Sequence, residues 1–225
     1  MNAKELARYF DHTLLKAFAQ EQDFDAFCAD CRSYEFAMAA INSAPVAYVK
    51  KQLADTPVHV GAAIGFPLGQ TTIETKAFET RDAIANGADE IDYVCNLTRL
   101  KAKDFDAVHR EMETIVSICR EKGVLSKVLF ENCYLTEEEK LNLCAIAREV
   151  EPDFIKTSTG FGTGGATIED VALMLKNAGP RVRVKAAGGI RTLEIALQLI
   201  DMGVGRIGST ASVRIVDAFR EKYGD

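Results

Sequence analysis

Histidine is scarce in this chain. The three that occur, His12, His59 and His109, form no ligand motif, which argues against a metal hydrolase. A basic excess is also missing. The 27 Lys and Arg are outnumbered by 33 Asp and Glu, giving a net charge of −6, whereas nucleic acid as a partner calls for a basic face that neutralises phosphates. A small anionic substrate needs only a local positive pocket and stays compatible with this balance. No apolar run approaches the roughly 20 residues that cross a bilayer. The opening MNAKELARYF has the pattern of a short amphipathic helix and lacks a signal-peptide core. No GxGxxG opens a helix after an early strand, which argues against a Rossmann nucleotide site. No linker, low-complexity tract or charge block divides the chain, so residues 1–225 are expected to form a single domain of barrel size. The six cysteines are scattered, as expected for reduced thiols in a cytoplasmic protein. Cys28 and Cys31 form a C-x-x-C pair, but no second pair or nearby histidine follows at zinc spacing. They read as two semi-buried thiols on one helix.

What is present is alternation. Short β-branched runs recur at Met38–Asn42, His59–Gly65, Glu90–Cys95, Lys127–Glu131, Phe154–Ser158, Val182–Ala187 and Gly205–Ser209. Between them lie amphipathic segments with helix punctuation. Residues 71–86 end at Gly87. Residues 104–121 begin at Asp104 and stop at Gly123. Residues 137–149 follow Thr136, with Glu139 placed for a capping box, and residues 168–177 follow Thr167, with Asp170 three positions on. Strand and helix alternating through short connections predict parallel βαβ units. Seven strands are clear. Phe10–Leu14, short and weak, is the candidate eighth that would close a (β/α)8 TIM barrel behind a short N-terminal helix. An open doubly wound sheet of seven strands is the alternative.

The placement of charge favours the barrel. In a parallel strand covered by helices, residues of one parity pack outward and are apolar, while the other parity points inward. Glu90 and Asp92 oppose Ile91 and Tyr93. Lys127, Leu129 and Glu131 oppose Val128 and Phe130. Lys156 opposes Ile155 and Thr157. Arg183 and Lys185 oppose Val182 and Val184. Four successive strands thus aim ionisable groups at one interior. A buried charge costs several kcal/mol unless it is paired or used, and an open sheet offers no shared interior where these groups meet. A barrel does, and its active sites lie at the C-terminal ends of the strands. A purely structural Asp–Lys network is the alternative use of the same residues.

The loops at those ends are rich in Gly, Ser and Thr: STGFGTGGAT, AAGGIRT and RIGSTASV. Backbone N–H groups before a helix bind anions, and glycine permits close approach. With Phe10–Leu14 as strand 1, the last two loops follow strands 7 and 8, where barrels tend to hold phosphate. Arg191 adds a charge. Two lysines on adjacent strands then suggest the chemistry. A lysine amine is a nucleophile only when neutral, and burial or a neighbouring cation lowers its pKa. Lys156 and Lys185 suit that relation, with Asp92 holding Lys185 and relaying protons.

Five segments, IGFPLGQTT (64–72), NGADEIDYV (86–94), FIKTSTGFGTGGAT (154–167), VKAAGGIRT (184–192) and RIGSTASV (206–213), resemble deoxyribose-phosphate aldolase in order and spacing. The likeness runs from about residue 6 to residue 216. It implies a class I aldolase, without metal or cofactor, that reversibly cleaves 2-deoxy-D-ribose 5-phosphate to D-glyceraldehyde 3-phosphate and acetaldehyde. By motif, the resemblance makes Lys156 the Schiff-base lysine, Lys185 the lysine that depresses its pKa, and Asp92 part of the proton relay. Asp11 and Thr13 would contact substrate near the reacting carbons. Thr159, Gly160, Gly188, Gly189, Arg191, Gly208 and Ser209 would surround the rest of it, chiefly the phosphate. Lys127 matches a family lysine and is carried as a substrate contact, with core pairing as its other reading. Its partner would be a small phosphorylated sugar, with neither nucleic acid nor membrane, and the protein is expected to be a homo-oligomer, a dimer or tetramer. The pattern departs at Thr210 and Ala211, where serine is commoner, at Phe161, where part of the family has lysine, and at Tyr223, which is followed by Gly224 and Asp225. Two other readings share the same residues: a Schiff-base aldolase for a different phosphorylated sugar or keto acid, and a non-catalytic barrel that senses a sugar phosphate.

Overall fold

A computed structural model describes residues 1–225. Eight parallel strands close on themselves: β1 Phe10–Leu14, β2 Met38–Asn42, β3 His59–Ile64, β4 Glu90–Val94, β5 Leu125–Leu129, β6 Phe154–Lys156, β7 Arg183–Ala187 and β8 Arg206–Ser209. Closure is made by β1 against β8, with Phe10 paired to Ile207 and Asp11 to Gly208. The open-sheet alternative is thereby excluded. The helices are α1 Ala3–Ala7, α2 Glu21–Tyr34, α3 Val46–Gln52, α4 Ile73–Ala85, α5 Leu97–Lys101, α6 Phe105–Lys122, α7 Glu137–Val150, α8 Ile168–Asn177, α9 Leu193–Asp201 and α10 Ser212–Tyr223. No helix is long and apolar enough to cross a membrane.

Local chemistry explains the boundaries. Thr136 accepts from the Glu139 amide while Glu139 reaches back to the Thr136 amide, so α7 starts with the expected capping box. Thr167 accepts from the Asp170 amide at the start of α8, and Gly123, with φ of 68°, ends α6 in the left-handed conformation. The fifth strand runs from Leu125 to Leu129 and stops short of the expected Glu131. Glu131 takes a φ of 55° and turns the chain into a short 3-10 helix, Asn132–Tyr134.

The barrel wall has two chemistries. Outward residues such as Ile91, Tyr93, Val128, Ile155 and Val184 are buried in one apolar cluster shared with the helices. On β1 the outward His12 ring is stacked between Phe27 and Phe36, at centroid distances of 4.8 and 4.9 Å. The inward parity carries charge: Asp11, Glu90, Asp92, Lys127, Lys156 and Lys185 are all buried. Arg183 departs from this pattern. It begins β7 at the barrel floor, stays exposed, and lays its guanidinium over the Phe154 ring at 3.9 Å. Cys28 and Cys31 lie buried on α2, and all six thiols are unpaired.

Candidate active site

Register brings the charged side chains together. Asp92 is level with Lys127, Lys156 with Lys185, and Lys185 with Arg206. Asp92 sits at the hub. Its Oδ2 accepts from Lys156 Nζ at 2.8 Å and from Lys185 Nζ at 2.7 Å, while Oδ1 accepts from Lys127 Nζ at 2.6 Å. Both reacting-lysine candidates therefore share one carboxylate oxygen. Lys185 also pairs with Asp11 Oδ2 at 2.5 Å, off the line of a good hydrogen bond, and Lys127 pairs with Glu90 at 2.5 Å.

This geometry separates the amines electrically. Burial is the largest influence on Lys156 and lowers its pKa. The charges of Lys185 and Lys127 lower it further, Asp92 opposes them, and the outcome is about 8. Lys127 goes the other way. Burial disfavours its charge, but Asp92, Glu90 and Asp11 outweigh that and raise its pKa. Burial likewise opposes ionisation of Asp92, yet Lys127, Lys156 and Lys185 hold its carboxyl well below the ordinary range. At neutral pH the site thus contains a fixed anion, a fixed cation at Lys127 and one amine that deprotonates readily.

Above Lys156 opens a cavity of about 210 Å³. Thr13, Lys156, Thr159, Gly160, Gly188, Gly189, Arg191, Gly208 and Ser209 all line it, with Leu15, Ala40 and Thr210 among the rest. Lys156 and Arg191 are its charged residues, and no carboxylate faces it. Its glycine-rich loops carry backbone N–H groups of the kind that bind anions. Gly188, with φ of 86°, adopts a backbone that side chains disfavour, and a Cβ would lie 3.0 Å from Gly165 Cα. A Cβ on Gly208 would lie 3.0 Å from that of Ala187 and 3.3 Å from Lys185 Cε, so glycine makes room for the second lysine.

Two expected substrate contacts lie elsewhere. Asp11 and Lys127 are fully buried beneath the cavity and bound to their ion partners, so neither reaches a ligand above Lys156. The inward parity of both was legible, but not their depth. Tyr223 is also remote. It ends α10, which leaves β8 at the cavity and runs 12 residues back, and its ring packs on Phe219 at 4.9 Å. Two loop side chains are engaged within the scaffold. Ser209 Oγ donates to the Ile190 carbonyl at 2.7 Å and accepts from the Ala211 amide at 2.9 Å. Thr159 Oγ1 donates to Glu131, whose Oε1 also takes the Thr159 amide at 3.1 Å.

Sequence reasoning missed Arg206. Its Nη1 donates to Asp11 Oδ1 at 2.5 Å and its Nη2 to Glu90 Oε1 at 3.1 Å. Its shared parity with Gly208, opposite the outward Ile207, was the available signal. The buried pair Lys76–Glu111, 2.6 Å apart, was missed too. It joins α4 to α6 and receives the end of β4 through Val94 and Asn96.

A closed parallel barrel with a deprotonatable lysine under a cationic, glycine-walled cavity defines a class: barrel enzymes that act on carbonyl compounds through a lysine amine. Within that class the chain belongs to the DeoC/LacD family of aldolases, whose profile matches residues 6–208. It is 53% identical to deoxyribose-phosphate aldolase of Bacteroides thetaiotaomicron, over 98% of this chain and 93% of the relative. It is 49% identical to the enzyme of the same name from Thermococcus gammatolerans, over 98% of this chain and 99% of the relative. In structure it resembles the deoxyribose phosphate aldolase of Aeropyrum pernix, which has a unique tetrameric structure, with a TM-score of 0.91 at 29% identity, covering 98% of this chain and 93% of that one.

Proposed function

We propose that the protein is a class I aldolase that reversibly cleaves 2-deoxy-D-ribose 5-phosphate to D-glyceraldehyde 3-phosphate and acetaldehyde. The observation that carries this is Lys156: a buried amine with a pKa of about 8, opening on a cationic cavity and sharing one Asp92 oxygen with Lys185. The neutral amine of Lys156 adds to C1 of the open-chain aldehyde, and loss of water gives an iminium. A base removes the C3 hydroxyl proton, the C2–C3 bond breaks, and its electrons pass to the iminium as an enamine. Glyceraldehyde 3-phosphate leaves. Protonation of the enamine at C2 and hydrolysis then release acetaldehyde and restore the amine. Asp92, hydrogen-bonded to Lys156, passes those protons, while the charge of Lys185 keeps the Lys156 pKa low. Gly188, Gly189, Arg191 and the Gly208–Thr210 turn hold the phosphate.

The relatives' shared name supports the substrate, and the tetrameric relative supports assembly as a homo-oligomer. Six unpaired thiols, five of them buried, suit a reducing compartment such as the cytoplasm. The chemistry is tested by treating the protein with acetaldehyde and borohydride and mapping the adduct. An ethyl group is expected on Lys156, and Lys156→Leu is expected to abolish both adduct and turnover. An adduct on another lysine, or none in protein that still binds deoxyribose 5-phosphate, would sink this reading. Comparing turnover of deoxyribose 5-phosphate with other sugar phosphates checks the substrate.

A further inference from the structure

The ion pairs beneath the cavity form one connected column whose charge can be counted. Three carboxylates, Asp11, Glu90 and Asp92, face four bases, Lys127, Lys156, Lys185 and Arg206. His59 joins at the barrel floor, where its half-exposed ring places Nδ1 2.8 Å from Glu90. Other charged groups nearby are directed elsewhere. Glu131 is bound to Thr159, and Arg183 lies outside the floor against the Phe154 ring.

Counting only these three carboxylates and four bases, all ionised, the column carries one surplus positive charge. It becomes neutral when one base releases a proton, and a poorly solvated interior favours that release. The choice of base follows from the contacts. Arg206 does not deprotonate in proteins. Lys127 holds Glu90 and Asp92 at 2.5 and 2.6 Å, and Lys185 holds Asp11 and Asp92 at 2.5 and 2.7 Å. Lys156 has one carboxylate oxygen, shared with Lys185. The surplus proton is therefore that of Lys156.

We propose that Arg206 and Glu90, at the opposite end of the barrel from the cavity, are positioning residues that set the protonation of Lys156 by fixing the charge count of this column. The proposal rests on Lys156 being the reacting amine. Arg206 and Glu90 begin β8 and β4, and Lys156 ends β6, so their influence passes through Asp11, Lys127, Lys185 and Asp92. Removing the Arg206 charge leaves three cations for three anions, so Lys156 keeps its proton to higher pH. Removing the Glu90 charge makes Lys156 lose it at lower pH.

The test is the pH dependence of borohydride-trapped adduct formation on Lys156, read beside the acid limb of kcat/KM. Arg206→Gln is expected to move the midpoint up and slow trapping at pH 7 about tenfold, one unit of midpoint being tenfold in the neutral amine. Glu90→Gln is expected to move it down. Arg206→Lys, which keeps the count, is expected to leave it in place. Midpoints that stay fixed in the folded glutamine variants, or that move in the same direction, overturn the proposal, as does an Arg206→Lys shift as large as that of Arg206→Gln. Should a glutamine variant fail to fold, His59→Lys carries the test: at a half-exposed position it adds a permanent cation beside Glu90, and the midpoint must fall. An unmoved midpoint there overturns the proposal as well. Absence of any Lys156 adduct in the parent protein would instead overturn the functional reading, which separates the two failures.

Discussion

In the proposed reaction the Lys156 amine must be neutral to attack and must regain a proton later, so its pKa matters more than its position alone. Burial lowers it most, and the Lys185 charge adds to burial. The acid limb of kcat/KM should therefore have a midpoint at about 8, with activity falling about tenfold per pH unit below it. Replacing Lys185 with Leu removes one lowering charge and leaves Asp92 Oδ2 to Lys156 alone. The midpoint should rise by about one unit, costing about tenfold in kcat/KM at pH 7 and much less at pH 10. A pH profile of the folded variant measures this. Uniform loss across the range would show that Lys185 acts in some way other than through its charge.

At the scale of strands and loops, the phosphate end of the cavity in the proposed reading depends on backbone more than on side chains. Ser209 and Thr159 are tied to neighbouring loops, so under the proposed function the glycine turns and Arg191 are the groups that meet the anion. Gly188→Ala forces a side chain into a left-handed backbone and within 3.0 Å of Gly165, a strain of about 1–3 kcal/mol. Its expected signature is a raised KM for deoxyribose 5-phosphate with little change in turnover of unphosphorylated deoxyribose. Equal losses on both substrates would show that the turn serves the reacting end instead. These loops were legible because glycine runs at strand ends carry a local signal. The inward charges were legible because alternation in β4, β5 and β6 sorts residues by face without knowledge of their neighbours. The depth of Asp11 and Lys127 was not legible, because it depends on how far each strand is staggered around the barrel. The Lys76–Glu111 pair was hidden for a related reason. Its members lie 35 residues apart on separate helices, and each sits on an amphipathic pattern that gives no sign of the other.

For the whole molecule, two of the places where ionisable groups are buried differ in what holds their charge. Inside, Asp92 and Glu90 are held below their ordinary pKa values of 3.8 and 4.5 by the surrounding cations, so their stabilisation is full above those unfolded-chain values and fades as the pH falls through and below them. Outside the barrel wall, His12 has no such support. Its ring is enclosed by Phe27 and Phe36, the Asp30 carboxylate is 3.8 Å away and half exposed, and burial lowers its pKa from 6.5 to about 4. The unfolded chain therefore binds a proton between pH 6.5 and 4 that the folded chain refuses, and stability falls as the pH drops through that window. The loss from His12 should reach about 2–3 kcal/mol at pH 4.5, where the interior carboxylates have given up only a small part of theirs. His12→Phe keeps an aromatic ring in the stack and removes the titration. Urea unfolding at pH 7 and 4.5 should show the parent losing that stability and the variant retaining most of it. If both lose it equally, the acid sensitivity resides in the charged interior, and the barrel wall contributes nothing to it.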